Sequence, residues 1–279
     1  MPQPVDEGFF DLGDMRLEYR MVGPPPEKAP TLVLLHEGLG CVDVWNSFPA
    51  RLAAATDTGV LAYSRAGYGR SSPSRLPRPV SFMHDEAQHV LPRVLDAAGF
   101  RRGLLVGHSD GASIATIYAG TIQDHRVRGL VLMAPHFFTE DMGIAEIVRA
   151  KAAFEAGTLR TRLARLHADP ENAFHTWCGP WLHPDFRKWD LTDALAHIRV
   201  PILIVQGEND QYGTARQIRA AQEECYCPVE ALLLPHVRHA PYREAAEATL
   251  AATADFVNRL LRGHGEGDLA ARQGRQAAE

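Results

Sequence analysis

Hydrophobic residues in this chain fall into short, nearly uninterrupted apolar runs separated by stretches with helical spacing, the pattern of a sheet buried on both faces. The runs are Thr31 to Leu35, Gly59 to Tyr63, Leu104 to Val106, Val127 to Met133, Pro201 to Gln206 and Val229 to Leu234. Ahead of them, Phe9 to Leu12 and Arg16 to Met21 alternate apolar and polar positions and turn at Gly13 and Asp14, which predicts an antiparallel edge hairpin. From Phe82 to Ala98 the residues Met83, Ala87, Val90, Val94 and Leu95 share one helical face, with Pro92 expected to kink the helix. Ala112 to Ala119 opens another helix and Glu244 to Leu261 closes the chain with a third. Strands alternating with helices predict an α/β fold, a mostly parallel sheet with helices on both faces.

The rhythm breaks between Ala134 and Val200, where helical patterns and three of the four tryptophans occur without a convincing strand. This predicts a helical cap over residues 135–199, inserted into a core domain made of 1–134 and 200–262. Phe137, Phe138, Trp177, Trp181 and Trp189 are candidates to line a substrate pocket; the alternative is that they form the small core of the cap. Residues 263–279 are polar and glycine-rich and are expected to form a flexible tail.

Composition narrows the function classes. A 46% hydrophobic, 23% charged chain of 279 residues is an ordinary globular balance with material for a large core. The net charge of −5 gives no basic footprint for nucleic acid, and no run approaches the roughly 18 apolar residues of a membrane span. The N-terminus lacks the positive start and apolar stretch of a secretory signal, so a cytoplasmic location is expected. Cys41, Cys178, Cys225 and Cys227 are scattered, and the Cys225/Cys227 pair lacks partner ligands, so reduced thiols are expected rather than a metal site. The partners left are a small-molecule substrate and a second copy of the chain in a homodimer.

The chemistry concentrates at Gly107-His108-Ser109-Asp110-Gly111, a Gly-x-Ser-x-Gly sequence between an apolar run and a helix start. A serine on such a sharp strand-to-helix turn stands clear of the sheet, and the two glycines let strand and helix approach closely. A serine hydroxyl needs a base to take its proton, and the base needs a carboxylate to fix its tautomer. Asp210 follows an apolar run, at the carboxyl end of a strand where open α/β sheets place their sites; Glu208 is its rival. Of thirteen histidines, His239 follows the last strand and precedes the closing helix, with His236 as competitor.

These residues carry a resemblance to the α/β-hydrolase superfamily, within its esterase-like group, from Phe9 to Leu261. Four stretches match: His36-Glu37-Gly38-Leu39-Gly40 with Trp45, Ser64 to Ser71, the Ser109 turn, and Gly207 to Asp210 with His239-Ala240-Pro241. The resemblance implies Ser109 as nucleophile, His239 as base, Asp210 as its orienter, and an oxyanion hole from the N–H groups of Gly38 and Asp110. No cofactor and no metal are implied. Glu37, Leu39 and His108 join Phe137, Phe138, Trp177 and Trp181 as pocket candidates.

This chain departs from the family pattern at several positions. Glu37 replaces a glycine close to where a negative oxyanion must sit; it is expected to point away and pair with an arginine or cap a turn. Asp110 raises the same electrostatic question, Arg238 replaces a glycine before His239, and Ser64 replaces a common aspartate. The expected function is a serine hydrolase acting on a small to medium carboxylic ester. Thioesterase, lactonase and C–C bond hydrolase are alternatives of the same fold, and the last would call on Arg65 and the cap arginines to bind an anionic substrate. Outside enzymes, a slow-turnover ligand-binding receptor is the alternative. Dehalogenases and epoxide hydrolases of this fold would have aspartate at position 109.

Overall fold

The computed structural model describes residues 4–262. Eight strands form one sheet in the order β1-β2-β4-β3-β5-β6-β7-β8. Val5–Asp11 (β1) and Arg16–Val22 (β2) are the expected edge hairpin, antiparallel in the register Val5 to Val22 and Asp11 to Arg16. Four residues more than the alternation suggested enter β1, because its start is an exposed edge where side chains are little sorted by burial. The remaining strands are Thr31–Leu35 (β3), Gly59–Tyr63 (β4), Gly103–His108 (β5), Val127–Met133 (β6), Ile202–Gly207 (β7) and Val229–Leu234 (β8). All six run parallel, and β2 joins them antiparallel to β4.

The apolar runs divide by alternate residues between two cores, as a two-sided sheet requires. Val33, Leu35, Leu105, Leu130 and Ile204 face one core. Leu32, Leu34, Leu104, Val131 and Val205 face the other. The second core is closed by Phe48–Thr56 (α1) and by a C-terminal helix, Ala246–Arg262 (α11). The first is closed by the helix from Phe82 to Ala97, by Asp110–Thr121 (α4) and by Arg216–Glu224 (α9). Pro92 does not simply kink its helix. Phe82–Asp85 (α2) passes through a π-helical stretch, Glu86–Val90, into Leu91–Ala97 (α3), so the ladder widens just before the residue that has no N–H to give.

Between β6 and β7 the chain is helical: Asp141–Glu155 (α5), Thr158–Leu163 (α6), Pro170–Trp181 (α7) and Thr192–Leu195 (α8). Several of its aromatic residues pack its helices against one another. Phe154 stacks on Phe174, and Phe186 stacks on Trp189 and leans on Trp181. Phe137 is fully buried in the first core, and its carbonyl accepts from Leu191 N–H, while Phe138 bridges to Asp190. Short Pro241–Glu244 (α10) precedes α11, so the closing helix begins after a break at Ala245. The expected tail, 263–279, lies outside the described residues.

Candidate active site

The carboxyl ends of β3, β5, β7 and β8 converge on Ser109. Its backbone sits at φ 54°, ψ −119°, a strained conformation for a residue with a Cβ. Packing enforces it. A Cβ on Gly107 would lie 2.4 Å from the Gly111 carbonyl oxygen, and one on Gly111 would lie 2.0 Å from that of Leu35. Ser109 N–H is taken by the Met133 carbonyl, and its own carbonyl accepts the N–H groups of Ala112 and Ser113. Asp110 N–H is left among the orphan donors at the start of α4.

His239 and Asp210 complete a hydrogen-bonded chain. Ser109 Oγ lies 2.9 Å from His239 Nε2, and His239 Nδ1 lies 2.9 Å from both Asp210 oxygens. A carboxylate only accepts, so Nδ1 carries the hydrogen, and Nε2 is left to accept from the serine hydroxyl. Asp210 also accepts from Gln206 Nε2 and from Tyr212 N–H. Burial alone would push its carboxyl up, but the His239 charge and these hydrogen bonds hold it below the ordinary aspartate value. The rivals are placed elsewhere: Glu208 and His236 are both exposed, the latter at φ 62°.

A cavity of about 650 Å³ opens over Ser109. Leu39, Trp177, Trp181, Ile147, Ala150 and Leu159 supply an apolar wall, mostly from α5, α6 and α7. Glu37, Glu146, Arg149, Arg162, Arg238 and Arg243 add charge of both signs to the lining, three of them from α5 and α6 themselves. Gly38 lines the floor with the Trp177 indole packed where a Cβ would stand, 2.2 Å away. Of the sequence candidates, Phe137, Phe138 and Trp189 do not line this cavity. They sit at the neck of the insertion, where burial against the first core outweighs exposure to a substrate. A second hollow, of about 450 Å³, lies away from Ser109, where β6 and β7 begin.

The departures from the family pattern resolve one by one. Glu37 does not point away. Its carboxylate lines the cavity, with Oε2 3.4 Å from His108 Nδ1, and among the described residues no arginine donates a hydrogen bond to it. Asp110 is fully buried and its Oδ1 accepts from the Trp181 indole N–H, which ties α7 to the turn at Ser109. Burial pushes the Asp110 carboxyl above its ordinary value, against the pull of Arg65 and of the Trp181 hydrogen bond. Ser64 works with a carboxylate from another strand: its hydroxyl donates to Glu18 on β2 and accepts from Val42 N–H. Arg65 is fully buried, giving its guanidinium to the carbonyls of His36 and Glu37, so it braces the loop after β3 instead of meeting a substrate.

Sequence reasoning did not single out His136, Gln206, Tyr212 or Glu244. His136 lines the cavity with its ring 5.6 Å from that of His239, and burial followed by the His239 charge drops its value to about 3, so it stays neutral. Glu244 accepts from the N–H groups of Arg238 and Ala240, on either side of His239. Its place four residues beyond Ala240, at a helix start, is the one sequence signal that could have found it. Among the described residues, no group of three His, Cys, Asp or Glu is placed to hold a metal ion, and no helix is long and apolar enough to cross a membrane.

Comparison with known proteins agrees with this architecture. Epoxide hydrolase B of Mycobacterium tuberculosis is 34% identical over 110 residues, which is 39% of this chain and 29% of that protein. The chain thus matches about three tenths of the length of that relative. Among solved structures, the enol-lactonase of Burkholderia xenovorans LB400 superposes with a TM-score of 0.71 at 20% identity, covering 89% of this chain and 99% of that one. The 2-hydroxy-6-oxo-6-phenylhexa-2,4-dienoate hydrolase of Rhodococcus sp. strain RHA1 gives 0.75 at 16% identity, covering 91% and 98%. At such identities these two likenesses speak to the fold. Residues 32–253 match the alpha/beta hydrolase family, spanning β3 to the middle of α11 with Ser109, Asp210 and His239 inside, and the chain belongs to that family.

Proposed function

We propose that the protein is a serine hydrolase that cleaves a small to medium carboxylic ester through an acyl-enzyme on Ser109. The observation that carries this reading is the unbroken chain Ser109 Oγ, His239, Asp210, with 2.9 Å links, at the floor of a cavity large enough for a small molecule. Ser109 Oγ attacks the ester carbonyl carbon as His239 Nε2 takes its proton. Asp210 holds the imidazole in the required tautomer and stabilises the imidazolium. The N–H groups of Gly38 and Asp110 receive the oxyanion. As the tetrahedral species collapses, His239 passes the proton to the departing alkoxide, which leaves as the alcohol. Water, deprotonated by His239, then attacks the acyl carbon, and the carboxylic acid departs with Ser109 restored.

Residues 135–199 act in this reading as the cap, whose apolar lining receives the hydrophobic part of the ester. The test is hydrolysis of p-nitrophenyl esters, thioesters, lactones and a ring-cleavage dienoate by the wild type and by Ser109→Ala. Ester turnover that drops by on the order of 10⁶-fold in the variant is the expected result. Preference for another bond class would keep the serine mechanism and change the substrate. Tight ligand binding with no Ser109-dependent turnover of any of them would replace the enzyme reading with a receptor.

A further inference from the structure

Glu37 and His108 are drawn together at the cavity floor, and the reaction scheme uses neither. His108 is 2% exposed and both its ring nitrogens meet acceptors. Nε2 lies 2.6 Å from the main-chain carbonyl oxygen of His239, and Nδ1 lies 3.4 Å from Glu37 Oε2. A carbonyl and a carboxylate both only accept, so each ring nitrogen must carry a hydrogen for the two contacts to be hydrogen bonds: Nε2 donates to the His239 carbonyl and Nδ1 to Glu37. The His108 ring also packs against the rings of His239 and Tyr242, with centroids 5.1 and 5.2 Å away. One imidazole therefore joins three segments that the chemistry needs in register: the loop after β3 with Gly38, the end of β5 next to Ser109, and the loop carrying His239.

From this juxtaposition we propose that Glu37 and His108 are a positioning pair for the reaction: Glu37 fixes the His108 ring, and His108 fixes the main chain of His239 so that its Nε2 stays on Ser109 Oγ. The proposal rests on the serine-hydrolase reading. Asp210 holds the far nitrogen of the His239 ring, but a ring held at one end still swings if its backbone drifts. A displacement of about 1 Å in a reacting group costs on the order of 100-fold in rate. The pairing also answers the electrostatic objection to a carboxylate at position 37, since its charge is directed at His108. Burial pushes the Glu37 carboxyl up, yet the hydrogen bond and charge of His108 bring it below its ordinary value, as expected of a carboxylate with a partner.

The experiment measures how fast a fluorophosphonate, which phosphonylates an activated serine whatever the natural substrate, labels Ser109 in the full-length protein. His108→Leu, which removes the donor to His239, is expected to slow labelling by about 10- to 100-fold. His108→Gln, whose amide can still donate to that carbonyl, restores most of the rate. Glu37→Ala slows labelling in the wild-type background but adds nothing in the His108→Leu background, because the two act through one contact. Should His108→Leu fail to fold, His108→Gln and Glu37→Ala still test the pair. Labelling of His108→Gln as slow as that of His108→Leu, of Glu37→Ala as fast as wild type, or additive losses in the double variant would each overturn the proposal. A wild type that never labels at Ser109 would instead remove the serine-hydrolase reading, and the proposal with it.

Discussion

The turn that presents Ser109 and the loop that presents His239 are built in opposite ways. Ser109 is held by its neighbours in sequence: β5 before it and nearly all of α4 after it are buried, and Gly107 and Gly111 let the two approach until no Cβ would fit. His239 sits in a loop fastened by polar contacts, near and distant in sequence. Glu244 takes the N–H groups on either side of it, His108 holds its carbonyl, Asp210 holds its ring, and Asn209 N–H binds the Val237 carbonyl. The geometry at Ser109 is thus a consequence of core packing, while that at His239 depends on polar contacts at the core's edge. Damage to the first should cost stability and activity together, and damage to the second should cost activity far more than stability.

The largest effect is expected from Gly111→Ala. The new Cβ would press on the carbonyl oxygens of Leu35 and His36, at 2.0 and 2.8 Å, and neither main chain can retreat without moving the end of β3. Overpacking of this kind costs about 1 to 3 kcal/mol or more, so the denaturation midpoint should fall and Ser109 labelling should disappear with it. A variant of unchanged midpoint that labels normally would show that the turn is not held by packing, and the contrast between the two loops would collapse.

What was legible in the sequence follows the same division. The parallel strands were readable because burial on both faces leaves almost no polar residue in β3, β4, β5 or β7. The turn at Ser109 was readable because its requirements are local and glycines mark them. The orientation of Glu37 was not, because its partner His108 lies 71 positions away and the two are brought together only by the pairing of β3 with β5. Nor could Ser64 reveal that a carboxylate reaches it from Glu18, 46 positions earlier, on an antiparallel strand. Phe137 and Phe138 look like pocket residues by type, and it takes the Phe138 bridge to Asp190 and the Leu191 hydrogen bond to the Phe137 carbonyl to show that they fasten the neck of the insertion.

Asp210→Asn tests the other half of the comparison at its strongest contact. Asparagine keeps the shape but lets the imidazole settle into the wrong tautomer, so turnover should fall by about 10⁴-fold while the fold at neutral pH stays intact. Stability adds a pH signature. The folded Asp210 carboxyl lies below its ordinary value, so it contributes stability above the unfolded value that is lost as pH falls through the folded one. The gap between wild type and variant, measured by urea unfolding at neutral and at acidic pH, should therefore narrow with acid. A gap that widened in acid would mean the carboxyl is not held in its charged form.

Glu244→Ala sharpens the comparison with the smallest expected effect. Its carboxylate is solvent-exposed, so water can take over much of what the N–H groups of Arg238 and Ala240 lose, and the contribution to stability should stay under about 1 kcal/mol. The contribution to rate need not be that small, because those two N–H groups bracket His239 and a slight tilt there is carried to the ring. Turnover should drop by roughly 3- to 10-fold, well short of the loss on removing Asp210, since the ring itself is still held. Glu244→Gln should recover part of it, because its amide oxygen can accept from one of the two N–H groups and its NH₂ from neither. Equal rates for the wild type and both variants would show that the contacts from His108 and Asp210 suffice to place His239, narrowing the set of polar contacts on which the loop depends.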